Sequence, residues 1–121
     1  MQKREKPYAL EDRTFEFAAD VRQLIKKLHR TIGNIEDAKR LARSSGSVGA
    51  NYIEANESLG KKDFVMHVRI SRKEAKESRY WLRLLDVEQN DELGAWRDDL
   101  AREAEELQKI LSAIEAKTRS D

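Results

Sequence analysis

The stretch "ARSSGSVGANYIEANESL", residues 42–59, packs Ser44, Ser45, Gly46, Ser47 and Gly49 into six positions. Two chemistries could use them. The backbone N–H groups of a glycine-rich loop can cradle a phosphate, and a serine hydroxyl can act as a nucleophile beside a base. A Gly-x-x-x-x-Gly-Lys-Ser/Thr loop needs a Lys after its last Gly and a strand before its first. Here Ala50 follows Gly49, and no strand precedes Ser44. "GSVG" also fits the Gly-x-x-Gly loop of KH domains, but the strands that carry such a loop are missing. The only histidines, His29 and His67, stand in no recognisable relation to the serines. Nor do they form the Glu-x-x-His pairs of a di-metal helical bundle, because Lys26 and Phe64 lie three residues before them.

Carboxylates and cations give further candidates. Glu54 lies one helical turn from Asn51, and Glu74 and Glu77 are related in the same way. Arg72, Arg79 and Arg83 are near enough in sequence to pair with Glu74 and Glu77, so a structural polar network is favoured over acid–base catalysis. Such a network fixes register more than it adds stability. Arg69, Arg72, Lys76, Arg79 and Arg83 recur at spacings of three and four, which makes a basic ridge about 100° from the apolar stripe of the same helix. A ridge of this kind can neutralise phosphates with strong salt dependence and little sequence preference. The alternative is that it meets acids of the last quarter of the chain, such as Asp98, Asp99, Glu103, Glu105 and Glu106.

These residues need helices to position them. Thr14, Ala18, Val21, Ile25 and Leu28 set a three–four rhythm over about residues 10–30, widened by Phe17 and Leu24. "TIGN" breaks it, with Gly33 a plausible C-cap and Asn34 a plausible N-cap for the next helix. From 35 to 59 the rhythm runs through Ile35, Ala38, Ala42, Ser45, Gly49, Tyr52, Asn56 and Leu59, with Leu41, Val48 and Ala55 beside it. A loop has no reason to keep that phase, so the serine–glycine stretch reads as helix. Each interior Gly costs about 1 kcal/mol relative to Ala, and only a closely packed neighbour offsets that. Asp63 opens a third helix to about Leu85, carried by Phe64, Val68, Ser71, Ala75, Ser78 and Leu82. Leu93, Trp96, Leu100, Ala104, Leu107, Leu111 and Ile114 carry a fourth over about 91–117. Four long helices on short connections predict one all-α domain spanning 1–121, an up-down-up-down antiparallel four-helix bundle.

Composition agrees with that architecture. Of 121 residues, 39% are charged and 39% hydrophobic, as narrow apolar stripes with charged outer faces require. There is no Cys, which removes thiol nucleophiles, thiolate metal sites and disulfides. No secretory apolar segment or membrane-length run is visible, so a cytoplasmic protein without membrane attachment, cofactor or bound metal is expected. The net charge of +1 hides an uneven distribution: residues 61–85 carry eight Lys/Arg against three Asp/Glu, and residues 86–121 carry five against eleven. Phe15, Ile53, Val65, Tyr80, Trp81 and Ile110 are left over once the stripes are filled. Exposed together they would mark an interface, so a homo-oligomer is expected.

"FEFAADVRQLIKKL", "RSSGSVGANYIEANES" and "KKDFVMHVRISRKEAKESRYWLRLL" together resemble the bacterial four-helix-bundle family of proteins encoded within 23S rRNA intervening sequences. The resemblance covers about residues 10–85 closely and the last helix only in character. It rests on Ser45, Asn51 and Glu54, and on the run Lys73, Glu74, Ala75, Tyr80, Trp81 and Leu82. Ala55-Asn56 departs from the small residue and Gly of many members. The resemblance implies a ring-like homopentamer with no known enzymatic activity. Its relatives include accessory proteins of diversity-generating retroelements, which contact reverse transcriptase and nucleic acid. On this reading Arg69, Arg72, Lys76, Arg79 and Arg83 are the candidate contacts to RNA or a ribonucleoprotein. Ser45, Gly49, Asn51, Glu54, Glu74 and Trp81 are structural or interface residues. A scaffold that binds only a protein partner, such as a reverse transcriptase, and a carboxylate-based hydrolase using Glu54 are the competing classes.

Overall fold

A proline suits the first turn of a helix, where its missing N–H would find no partner anyway, and the first helix starts at Pro7. The computed structural model describes residues 7–120, all α-helix and connections, with no strand among them. The helices are α1 (Pro7–Lys27), α2 (Ile32–Asn56), α3 (Lys61–Leu84) and α4 (Asp91–Ser120). α2 runs unbroken through Ser44–Gly49, as its apolar phase predicts.

The ends differ from the sequence reading for identifiable reasons. Thr31, not Asn34, caps α2: its hydroxyl accepts from the Asn34 N–H at 3.0 Å. That leaves Asn34 inside the helix with a free amide. The amide donates to the carbonyls of His29 and Asp86 at 3.0 and 2.9 Å and accepts from the Asp86 N–H at 2.9 Å. One buried side chain thus ties the start of α2 to the end of α3. Gly60 rather than Asp63 is the N-cap of α3, and Asn90 caps α4 by accepting from the Leu93 N–H at 3.0 Å. Between α3 and α4, Glu88 takes a left-handed φ of 55°. The Asp86 side chain holds that turn by accepting from the Glu88 N–H at 2.8 Å.

Among the described residues, α1 packs on α2 and α4, and α3 packs on α2 and α4, an all-α arrangement consistent with a four-helix bundle. The core runs through Val21, Leu24, Leu41, Val48, Val68, Leu82, Leu107 and Leu111, all inaccessible to solvent. In α2 the buried face centres on Leu41, Val48 and Ala55. Ile35, Ala38, Ala42 and Asn56 are only half-buried, and Leu59 lies beyond the helix end, fully exposed.

Small residues set the spacing between helices. Ser71 donates to the Val48 carbonyl at 2.6 Å, and the Ser44 and Ser78 hydroxyls bond to each other at 2.9 Å. Ser78 also donates back to the Glu74 carbonyl at 2.9 Å, so its hydroxyl is satisfied inside the core. On the other side, a Cβ at Gly49 would stand 2.8 Å from Thr14 Oγ1. The thin face of α2 therefore serves close contacts with α1 and α3 within one chain.

Candidate nucleic-acid interface

The phase of α3 puts its basic ridge on the shoulder beside α4, and α4 divides it. At the N-terminal end, Arg69 grips the Glu115 carboxylate through Nε and Nη2 at 2.9 and 2.8 Å. Arg72 Nε stands 3.4 Å from the other oxygen of Glu115, and Arg119 adds a contact at 3.3 Å. Burial alone pushes the Glu115 carboxyl up, but the Arg69 hydrogen bonds and the charges of Arg69 and Arg72 together outweigh it. The net effect holds the group below the usual carboxylate range. Arg69 and Arg72 are thus spoken for within the chain.

The rest of the ridge is not. Lys76 and Arg83 are exposed, Arg79 is half-buried, and none of the three makes an ion pair among the described residues. Three of the five acids expected to meet the ridge turn elsewhere. Glu103 pairs with Arg13 of α1 at 2.7 Å, Asp98 with Arg97 at 3.2 Å, and Asp99 with Arg102. Below the ridge, Lys61, Lys62, Arg69 and Arg119 line an open depression of about 930 Å³ at the N-terminal end of α3.

The carboxylates of α3 also find a partner other than the arginines of their own helix. Glu74 and Glu77 face Arg43 of α2 at 3.8 and 3.5 Å. Burial pushes the Glu74 carboxyl up, against the opposing pull of Arg43. Its Oε1 is buried without a hydrogen bond. Trp81 donates its indole N–H to Glu77 at 3.0 Å, and Arg40 lies over the same ring at 5.4 Å. Asn51 donates to the Ser47 carbonyl at 2.9 Å, Ser45 to the Ala42 carbonyl at 3.3 Å, and Glu54 is exposed. None of these contacts links Asn51, Glu54 and Glu74 to one another. No group of three or more metal-ligating side chains occurs among the described residues. None of their helices is long and apolar enough to cross a membrane.

Two features escaped the sequence reading. Glu115 falls four residues after Leu111 and so continues the core phase, which is the signal that an acid there must find buried cations. The second is a groove between α1 and α2, rimmed by Arg22, Lys26 and Arg30, which follow one another at spacings of four, and by Lys39 of α2. Of the leftover apolar residues, Phe15 is 72%, Tyr80 55% and Ile53 45% exposed. Trp81 instead packs partly against the core.

Four packed helices with no strand among the described residues define a helical protein of the all-α class. The family's sequence profile matches residues 9–113, and the chain belongs to the 23S rRNA-intervening sequence proteins. It is similar to a crystal structure from Bacteroides thetaiotaomicron VPI-5482, described as a protein of unknown function from the S23 ribosomal protein family. The two share 29% identity with a TM-score of 0.78, over 93% of this chain and 99% of that one. No curated protein matches the sequence significantly.

Proposed function

We propose that this chain is a non-enzymatic, self-assembling protein of the cytoplasm that binds RNA or a ribonucleoprotein through basic helix faces. The observation that carries the reading is the split ridge: Glu115 holds Arg69 and Arg72, while Lys76, Arg79 and Arg83 remain without an ion-pair partner among the described residues. An up-down-up-down order is supported by contacts whose residue numbers run in opposite senses. Asn34, Ser44 and Val48 meet Asp86, Ser78 and Ser71 in turn, and Arg69 and Arg97 meet Glu115 and Leu85. The exposed Phe15, Ile53 and Tyr80 support assembly into a homo-oligomer, with the pentameric ring that the family resemblance implies as the expected form.

RNA retention measured against salt tests this. Each phosphate contact contributes a log–log slope of about −0.7 on a single strand, so changing Lys76, Arg79 and Arg83 to Glu should flatten the slope by about 2. Binding that is unchanged by these substitutions, or absent at low salt from an intact oligomer, refutes the reading. In the second case the protein-partner scaffold replaces it.

A further inference from the structure

We infer that Tyr80 is a stacking platform for an unpaired base of RNA, which makes the free end of the α3 ridge a site for single strands in preference to duplex. This deepens the proposed function and rests on it. Tyr80 is 55% exposed, and its hydroxyl makes no hydrogen bond among the described residues. Phe15 and Ile53, exposed like it, line one depression to which only α1 and α2 contribute. Tyr80 stands on α3 instead, beside cations. Lys76 lies four positions before it and Arg83 three after, each about 5–6 Å away between Cβ atoms on a helix. Both are exposed and without an ion-pair partner among the described residues. On the side away from them, the exposed Leu84 extends the apolar surface.

The Tyr80 ring is held in place although it is exposed. It meets Trp81 edge-to-face, with centroids 5.0 Å apart and planes at 78°. Trp81 is fixed in turn by its indole N–H bond to Glu77 at 3.0 Å and by Arg40, which lies 5.4 Å from the ring centroid. Arg40 is itself exposed and makes no ion pair among the described residues. Around α3 the order is Arg83 and Lys76, then Tyr80, then Trp81, and beyond it Arg40 of α2. Two aromatic rings thus lie between cations of two helices. The acids nearby, Glu74 and Glu77, face Arg43 at 3.8 and 3.5 Å, which offsets part of their charge.

A row of cations alone reads phosphates, and duplex and single strand both supply them. In an A-form duplex the base faces are stacked on one another, so an aromatic side chain on a convex helix has no base to lie against. A single strand offers both groups: a base face for Tyr80, and phosphates for Lys76, Arg79 and Arg83. A ring already held by its neighbour loses little freedom on stacking, which is what the Trp81 contact contributes.

Fluorescence anisotropy at low salt measures binding of a labelled oligouridine and of an RNA duplex of the same length. The wild type should bind the single strand more tightly. Tyr80→Leu keeps apolar bulk without a π-face. It should bind oligouridine about tenfold more weakly, with duplex binding and the salt slope unchanged because no phosphate contact is removed. Tyr80→Phe should match the wild type. Circular dichroism and light scattering compare the fold and mass of each variant with those of the wild type. A wild type that binds neither RNA overturns both the inference and the proposed function. Oligouridine binding that is equal in wild type and Tyr80→Leu overturns the inference and leaves the cationic ridge standing. So does an equal loss on single strand and duplex. A folded Tyr80→Leu protein of lower mass makes Tyr80 an assembly contact and overturns the inference as well.

Discussion

Gly49 offers a measurable account of why the serine–glycine stretch is thin. A Cβ there would stand 2.8 Å from Thr14 Oγ1 and 3.2 Å from Thr14 Cβ. Thr14 cannot swing away freely, since it is 1% exposed and its hydroxyl donates to the Glu11 carbonyl at 2.8 Å. Gly49→Ala therefore sets two effects against each other. Ala in a helix interior gains about 1 kcal/mol over Gly, while overpacking a tight contact costs about 1–3 kcal/mol. The net expectation is a loss of about 1 kcal/mol, on the order of 4 °C in Tm for a domain of this size. In a Thr14→Ala background the hydroxyl is gone and the remaining contact yields by a few tenths of an ångström. There the same change should be neutral or stabilising, a coupling of about 1–2 kcal/mol between the two positions. Thermal and urea unfolding of the four proteins, followed by circular dichroism, measures it. Gly46 is the internal control, because its Cβ would meet only the flexible end of Arg22 at 3.3 Å. Gly46→Ala should be neutral or stabilising, whereas Gly49→Leu should abolish the fold. Equal stabilisation by Gly49→Ala in both Thr14 backgrounds would refute the packing argument.

Asn34→Ala removes three hydrogen bonds and leaves the Asp86 N–H without its acceptor. A loss of about 2–3 kcal/mol is expected in urea unfolding, against near-neutral effects at exposed positions of the same helix. Glu115, whose carboxyl is held low in the fold, binds fewer protons folded than unfolded over the interval between its two values. Its stabilisation is therefore complete above the unfolded value of about 4.3 and disappears as pH falls through the lower folded one. Urea midpoints taken across that range should fall on acidification, and Glu115→Gln should flatten this limb. An unchanged acid limb in the variant would show that the arginine cluster contributes nothing to stability.

The helices were legible because their signal is redundant. Val68, Ser71, Ala75, Ser78 and Leu82 keep one phase over four turns, and every one of them is buried. The same redundancy carried α2 through two glycines that local propensity alone would assign to a loop. Caps were less legible, since each depends on a single residue in competition with its neighbours. Thr31 and Asn34 are both good N-cap residues, and the choice between them was made by Asp86, more than fifty positions away. Ion pairing was least legible. Arg43 is separated from Glu74 by a helix and a turn, and only the depth at which α2 and α3 pack brings them to 3.8 Å.

Glu115 connects these levels. Its place in the apolar phase of α4 turns it inward, where an unpartnered carboxylate is costly. Arg119 of its own helix supplies one cation, and the shoulder of α3 supplies the other two, so the core pattern of one helix determines which part of another helix's basic ridge stays available. Arg69 and Arg72 serve the fold, and Lys76, Arg79 and Arg83 remain without an ion-pair partner among the described residues. Counting cations along α3 cannot distinguish the two groups. The distinction becomes visible only when the phase of α4 is read as a statement about charge as well as about burial.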